Sequence, residues 1–163
     1  IETTARNLYL VATTLIVFGI FLGLADRYGR KIKSIERLRL PDALAFGLGQ
    51  ALALIPGVSR SGATITTGLV LGYDRVAATR YAFLLAIPAV MGSGLYEATK
   101  ISEQQNAEWG QTIVATVIAF FVGLGVISLL LRWLTTRTYT PFVVYRVVLG
   151  IVVLVLLTTG TLT

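Results

Sequence analysis

The chain has 163 residues, of which 55% are hydrophobic and 13% charged, with a formal net charge of +6. A soluble domain of this length carries about twice that charge fraction, so the polar surface that would cover a water-exposed fold is missing. With no cysteine and no histidine, the composition excludes disulfides, thiol nucleophiles, zinc sites built on those residues and an imidazole base.

In chain order, Asn7 to Ala25 holds no charge and is long enough to cross about 30 Å of hydrocarbon as a helix. The chain opens on Ile1, in what reads as a helix start without signal-peptide features. It therefore reads as a piece of a longer polypeptide. Six basic residues follow in one stretch: Arg27, Arg30, Lys31, Lys33, Arg37 and Arg39. A basic balance invites a nucleic-acid partner, but a juxtamembrane loop between apolar segments explains the placement better, and no nucleic acid is expected.

The loop ends at Pro41-Asp42. Ala43 to Ser59 is apolar again but is interrupted by Pro56-Gly57, and Gly62 to Tyr73 is a second short apolar piece. Val76 to Tyr96 forms a span with Pro88 inside it, and Glu97 to Glu108 is a polar, acid-rich linker. Trp109 to Leu131 is a full span whose Ala115, Ala119 and Gly123 recur at four-residue steps, a small-residue face suited to close helix contact. Arg132 and Arg137 flank a short loop, and Thr140-Pro141 supplies an N-cap and an N1 proline for the last helix, Phe142 to Leu157. The predicted spans in one membrane-embedded domain, 1–163, are thus about 5–25, 76–97, 109–132 and 141–160.

Basic loops favour the cytoplasmic side, so Arg27–Arg39 and Arg132–Arg137 are expected inside and the Glu97–Glu108 linker outside. One crossing must then lie between Pro41 and Glu97. That segment holds one full span and two halves, and about a dozen residues cannot cross as a helix. The halves, at about 42–73, are expected to enter from the cytoplasm and turn back as a re-entrant pair. The predicted fold is an all-α membrane protein, a helical bundle with one re-entrant helix-turn-helix.

The break itself carries Ser59, Arg60, Ser61 and Thr64. A broken membrane helix exposes backbone groups that hydrocarbon cannot satisfy, so such breaks line cavities or bind ligands. Arg60 is the one charge between Asp42 and Asp74, and an isolated arginine at membrane depth calls for an anionic partner. A half-helix starting near Gly62 would present free N–H groups and a partial positive charge. Hydroxyls at Ser59, Ser61 and Thr64 add donors, Arg60 adds a fork that matches two phosphate oxygens, and Gly57 and Gly62 permit close backbone approach. Serine and threonine also cap helices, and a Pro-Gly turn often just ends one. The uncompensated arginine tips the reading toward a phosphate cradle.

Other candidates carry less. Arg75 and Arg80 are expected at the cytoplasmic interface. Arg146 can snorkel to the interface or point inward, and both remain open. Tyr81, Tyr96 and Trp109 suit interfacial aromatic belts, Gly92 and Gly94 suit helix packing, and Glu97 suits a solvated helix end.

The run Ala51 to Thr64, with Pro56-Gly57-Val58-Ser59-Arg60-Ser61-Gly62-Ala63-Thr64 at its core, resembles the Pro-Gly-x-Ser-Arg-Ser-x-x-Thr motif of the bacterial undecaprenyl-diphosphate phosphatases, the bacitracin-resistance family. Phe83 to Pro88, Pro141-Phe142 and Tyr145-Arg146 are similar to that family as well. The resemblance covers the whole chain, aligned to the family's C-terminal half. It implies a multi-pass hydrolase of the bacterial (inner) membrane, built from interdigitated inverted-topology repeats of which this chain would be one half. The implied reaction removes the terminal phosphate of undecaprenyl diphosphate to regenerate the lipid carrier for peptidoglycan synthesis. Arg60 and Ser59 would be catalytic, and Gly57, Ser59, Arg60, Ser61, Gly62 and Thr64 would hold the phosphates, with Arg146 a further candidate. The family's acidic Glu/Gln-x-x-x-Glu motif and its histidine lie in its N-terminal half and do not occur here. The resemblance thus implies a divalent cation, magnesium or calcium, whose ligands lie outside this chain, and a chain that is inactive alone. Implied partners are the isoprenoid diphosphate, the bilayer and the N-terminal half, with a homodimer left open. Half of an anion transporter or lipid flippase is the alternative, because half-helix N-termini hold anions in transporters too.

Overall fold

The computed structural model describes residues 8–102 and 109–159. It is helical throughout: α1 (Leu8–Tyr28), α2 (Leu40–Ala51), α3 (Arg60–Val70), α4 (Arg75–Ser102), α5 (Trp109–Leu134) and α6 (Thr140–Thr158). The only sheet-like pairing among the described residues is a single bridge between Lys33 and Tyr73. Helices α1, α4, α5 and α6 are long and apolar enough to cross a membrane, and the expected all-helical membrane architecture is what the chain adopts. The expected start of the first span at 5, the end of the last at 160 and the linker residues 103–108 lie outside the described residues.

Small residues decide the tightest helix pair. A Cβ added at Gly19 would lie 3.3 Å from Arg146 Cβ, one at Gly23 3.2 Å from Val143 Cγ1, and one at Gly150 2.9 Å from the Ala12 carbonyl. Matching 19 with 146, 23 with 143 and 12 with 150 makes α1 and α6 antiparallel neighbours whose backbones approach closely. The small-residue face expected to pack, Ala115, Ala119 and Gly123 on α5, does not do so. No atom lies within 4 Å of a Cβ built at Gly123, and α5 touches the rest of the chain mainly along α4. Gly92 and Gly94 likewise have open space around them rather than a packed neighbour.

The two short helices fold back on each other as a hairpin. Its mouth is tied by backbone bonds, with Ile32 and Lys33 N–H donating to the Gly72 carbonyl and Asp74 N–H to the Lys33 carbonyl, all at 2.9 Å. Gly72, at φ +90°, makes a turn there that a side chain would strain. Between the helices, Phe46 is fully buried, its ring 5.5 Å from Tyr73 and 4.6 Å from Tyr81. Tyr81 is half-buried and packs against this core, because α4 lies on the hairpin. A Cβ at Gly68 would meet the Phe46 ring at 2.7 Å and Ala78 Cβ at 2.8 Å, so glycine is what lets three helices converge here.

One buried carboxylate gathers the chain's basic end. Asp26, 5% exposed, accepts from Arg75 Nε at 2.5 Å and from the Tyr139 N–H at 3.0 Å, and also pairs with Lys31. It joins the end of α1 to the starts of α4 and α6. Arg75 thus has a structural partner in the fold, where the sequence suggests only an interfacial position. The Tyr139 hydroxyl reaches Thr79 and the Arg75 carbonyl. Burial pushes the Tyr139 phenol well above its ordinary range. Helix α6 begins one residue earlier than expected: Tyr139 is its N-cap, and Thr140 and Pro141 already belong to the first turn. Pro88 sits inside α4 without ending it.

Candidate functional site

The hairpin's tip is the segment from Leu52 to Ser59. After a short 3-10 turn at Leu52–Leu54, the chain passes through Pro56 and Gly57, where φ is +87°. That left-handed backbone suits glycine, and a second constraint reinforces it: a Cβ there would collide with the Thr14 hydroxyl and the Val11 carbonyl of α1. Gly57 therefore permits close contact with α1. Thr14 Oγ1 donates to the Pro56 carbonyl at 2.8 Å and so satisfies a backbone acceptor at the break.

Helix α3 opens immediately after. Ser59 is its N-cap, with Ser59 Oγ accepting from Gly62 N–H at 3.2 Å and lying 3.3 Å from Ser61 Oγ. Arg146 of α6 reaches this N-terminus from the side. One of its Nη groups donates to the Gly57 carbonyl at 3.1 Å, while the other lies 3.2 Å from where a Cβ of Gly62 would be. Gly62 is thus the residue that admits the guanidinium against the helix end. Arg146 Nε is buried and has no hydrogen-bond partner among the described residues. Such an unused donor on a half-buried guanidinium is costly unless something accepts from it.

Ser59, Ser61, Gly62 and Arg146 line one cavity of about 280 Å³, closed by apolar and aromatic side chains including Phe83, Phe142 and Tyr145. Cap hydroxyls, a helix N-terminus and a guanidinium, walled in apolar surroundings, form a site for a small anion. The sequence left Arg146 open between interface and interior; the fold points it inward. Arg60 goes elsewhere. It is exposed on the other side of α3 and lines a separate groove between α4 and α5, together with Arg80. Thr64 is fully buried, and its hydroxyl donates to the Arg60 carbonyl one turn back at 2.8 Å. It supports the first turn of α3 from behind and does not line the cavity. Of the six residues expected in the cradle, the cavity gathers Ser59, Ser61 and Gly62, with Gly57 contributing its carbonyl to Arg146.

Sequence reasoning did not single out Thr14 or Asp26, and it gave Arg80 no ligand role. Thr14 sits in an uninterrupted apolar run, where a threonine satisfying a distant carbonyl leaves no local signal. Asp26 heads the basic loop and looks solvated in one dimension.

No described carboxylate lines the cavity, and three besides Asp26 are engaged elsewhere. Asp42 accepts from the Tyr73 hydroxyl at 2.8 Å and lies 3.6 Å from Lys33, Asp74 caps α4 through the Ala77 N–H, and Glu97 pairs with Lys100. Burial, reinforced by the bond to Asp42, pushes the Tyr73 phenol up to about 12. The same bond holds the Asp42 carboxyl below its ordinary value. Among the described residues no group of three carboxylate, histidine or cysteine side chains could hold a metal ion.

Comparison with known proteins agrees with the motif. Residues 1–152 match the family of the bacitracin resistance protein BacA. The chain is 59% identical over 161 residues to an undecaprenyl-diphosphatase of Nocardioides sp., covering 98% of this chain and 59% of that protein. It is 57% identical to undecaprenyl-diphosphatase 2 of Agrobacterium fabrum and 57% identical to an undecaprenyl-diphosphatase of Clavibacter michiganensis, again over 98% of this chain and 58% and 59% of the relatives. The chain spans somewhat more than half the length of these curated relatives. It belongs to the bacitracin-resistance family, and with four membrane-length helices it is a multi-pass protein of the bacterial cell (inner) membrane.

Proposed function

We propose that this chain carries the cationic, phosphate-holding part of a membrane hydrolase that converts undecaprenyl diphosphate to the monophosphate carrier used in peptidoglycan synthesis, with bacitracin resistance as a consequence. The observation that carries the proposal is the capped N-terminus of α3 meeting Arg146 in one cavity, with Ser61 and an unused arginine donor beside it. The relatives' name, undecaprenyl-diphosphatase, supplies the substrate class.

In the hydrolysis one water oxygen bonds to the terminal phosphorus. The bond from that phosphorus to the bridging oxygen breaks, the bridging oxygen leaves with the lipid monophosphate, and inorganic phosphate is released. Charge grows on the bridging and terminal oxygens as this happens. Arginines and helix N–H groups fixed in place before reaction stabilise it at no cost in reorganisation. Ser59 and Ser61 orient phosphate oxygens, Arg146 neutralises charge within the cavity, and Arg60 does so from the adjacent groove.

The hairpin's mouth lies among the basic loops, which supports a re-entrant pair entering from the cytoplasm. Its tip meets Thr14, 14 residues from the basic end of α1, a rise of about 21 Å. That depth supports a site opening toward the extracytoplasmic face. Among the described residues no cluster of carboxylates fits a divalent cation. We assign the magnesium or calcium ligands, and with them the second half of the site, to sequence outside this chain.

The test is phosphate release from a long-chain isoprenyl diphosphate, using the chain extended to its relatives' length. Arg60→Ala and Arg146→Ala should each reduce release by about 100-fold or more, in line with loss of one positioned electrostatic donor. Wild-type release from Arg60→Ala and Arg146→Ala alike would remove both arginines from the site, and no release from the extended wild-type chain would remove the phosphatase reading. Saturable anion flux in proteoliposomes without phosphate release would put an anion transporter or flippase in its place.

A further inference from the structure

The groove between α4 and α5 lies beside the phosphate cavity but extends beyond it. It encloses about 650 Å³ and is walled by apolar side chains, among them Ile87, Met91, Phe120 and Leu124, with Arg60 and Arg80 as the charged residues on its lining. Neither arginine makes an ion pair among the described residues, and no carboxylate lines the groove. Glu36 of the basic loop faces Arg80 from outside the groove, but inside it two like charges beside apolar walls favour an anion. A bare inorganic anion would answer the guanidinium groups and leave the hydrocarbon walls uncovered. A neutral hydrocarbon chain would do the reverse. One amphiphile answers both.

Two further features narrow the occupant. Phe83 lines this groove and the phosphate cavity alike, so the two are neighbours separated by α3's first turn and one aromatic ring. The groove also has length: from Arg80 to Met91 is 11 residues along α4, or about 16 Å. Ala119 and Gly123 leave its α5 wall shallow, with open space at Gly123. We infer that this groove seats the head-proximal isoprene units of a prenyl diphosphate, with Arg60 and Arg80 beside the anionic head and the chain lying between α4 and α5. Arg80 thereby becomes a substrate-binding residue. The inference rests on the phosphatase reading for the identity of the head group, but its test does not depend on turnover.

A photoreactive prenyl diphosphate, with its crosslinker on the chain, is offered to the protein in membranes and the labelled peptides are mapped by mass spectrometry. Label is expected on the facing segments 83–91 and 119–131. An uncharged prenol bearing the same crosslinker should label them at least tenfold less. Arg80→Ala should cut the diphosphate's label there by about tenfold, Arg80→Lys should restore part of it, and Ala119→Trp, which fills the groove without touching either charge, should also cut it. Unlabelled prenyl phosphate should displace the label, and excess phosphatidylglycerol should not. Displacement by phosphatidylglycerol, equal labelling by the prenol, or label confined to other helices overturns the inference. Label in the groove with no phosphate release from the extended wild-type chain would instead sink the phosphatase reading and leave the groove assignment standing.

Discussion

The basic end of the molecule and the α4–α5 arm are built from similar apolar sequence but are stabilised in different ways. At the basic end, α1, the hairpin, the start of α4 and the start of α6 converge on Phe46, Leu69, Tyr73 and Ala78, each at most 1% exposed, and on the ion pair of Asp26 with Arg75. On the arm, the second half of α4 and nearly all of α5 expose Met91, Leu95, Phe120, Phe121 and Val122. In water the arm would be untenable; in hydrocarbon a leucine facing lipid costs nothing relative to one facing a helix. Side-chain burial is confined to the basic end, and close backbone approach, polar pairing and capped breaks cluster there too, around the cavity at the start of α3. The proposed phosphate site sits on the densely packed region, and the groove lies along the sparsely packed one.

The difference can be broken most forcefully at the core. Phe46→Ala removes a fully buried ring and its contacts with Tyr73 and Tyr81, and should cost about 3–5 kcal/mol; Phe120→Ala on α5 should cost less than about 0.5 kcal/mol, as an exposed position away from special features. Unfolding in mixed micelles reads both, and similar losses at the two sites would abolish the distinction. Asp26→Ala strands Arg75 and the Tyr139 N–H together, with an expected loss of about 3 kcal/mol. Arg75→Ala combined with it should lose little more, because the unpaired cation is then gone. Thr14→Val leaves the Pro56 carbonyl unmatched at the break and should cost about 1–2 kcal/mol. It should also reduce phosphate release in the extended chain more than it reduces stability, because the tip of the hairpin positions Ser59.

The hairpin's mouth gives an effect as small as that at Thr14 and adds a pH signature. Tyr73→Phe should lose about 1–2 kcal/mol from the bond to Asp42. Because the Tyr73 phenol is raised to about 12 in the fold, its contribution is complete below the ordinary phenol value of about 10 and is lost as pH climbs between the two. The Asp42 carboxyl is depressed, so its contribution is present above the ordinary carboxylate value of about 4 and is lost as acid protonates it below that value. A tyrosinate absorbance titration of the wild type against Tyr73→Phe checks the alkaline limb. A difference spectrum that develops near pH 10 would remove Tyr73 from the latch.

Much of the architecture was legible from one dimension because the bilayer imposes long apolar runs. The segment Trp109 to Leu131 could hardly be anything but a helix, and Pro56-Gly57 with Ser59 signalled both the break and the cap. The site was legible in part. Ser59, Ser61 and Gly62 follow from the geometry of a capped helix start, which is local. The separation of Arg60 from Arg146 is not local, since a helix start turns about 100° per residue and only packing decides which side faces which neighbour. Thr64 carries a hydroxyl like its neighbours but falls on the buried side, where it bonds to its own helix. The small residues misled in the same way: Ala115, Ala119 and Gly123 and the set Gly19, Gly23 and Gly150 are equally suggestive strings, and only the second meets a partner helix.

The sequence by itself determined that this protein lives in a membrane, that its helices number about what they do, and that a capped proline-glycine turn interrupts them, because hydrophobic length, proline-glycine breaks and helix caps act over a few residues. Only the tertiary structure decided which arginine enters the cavity, which carboxylate is buried and which aromatic ring is core. Those outcomes depend on contacts between residues as far apart as Asp26 and Tyr139 or Gly57 and Arg146, and no local pattern encodes the direction from which a distant helix arrives.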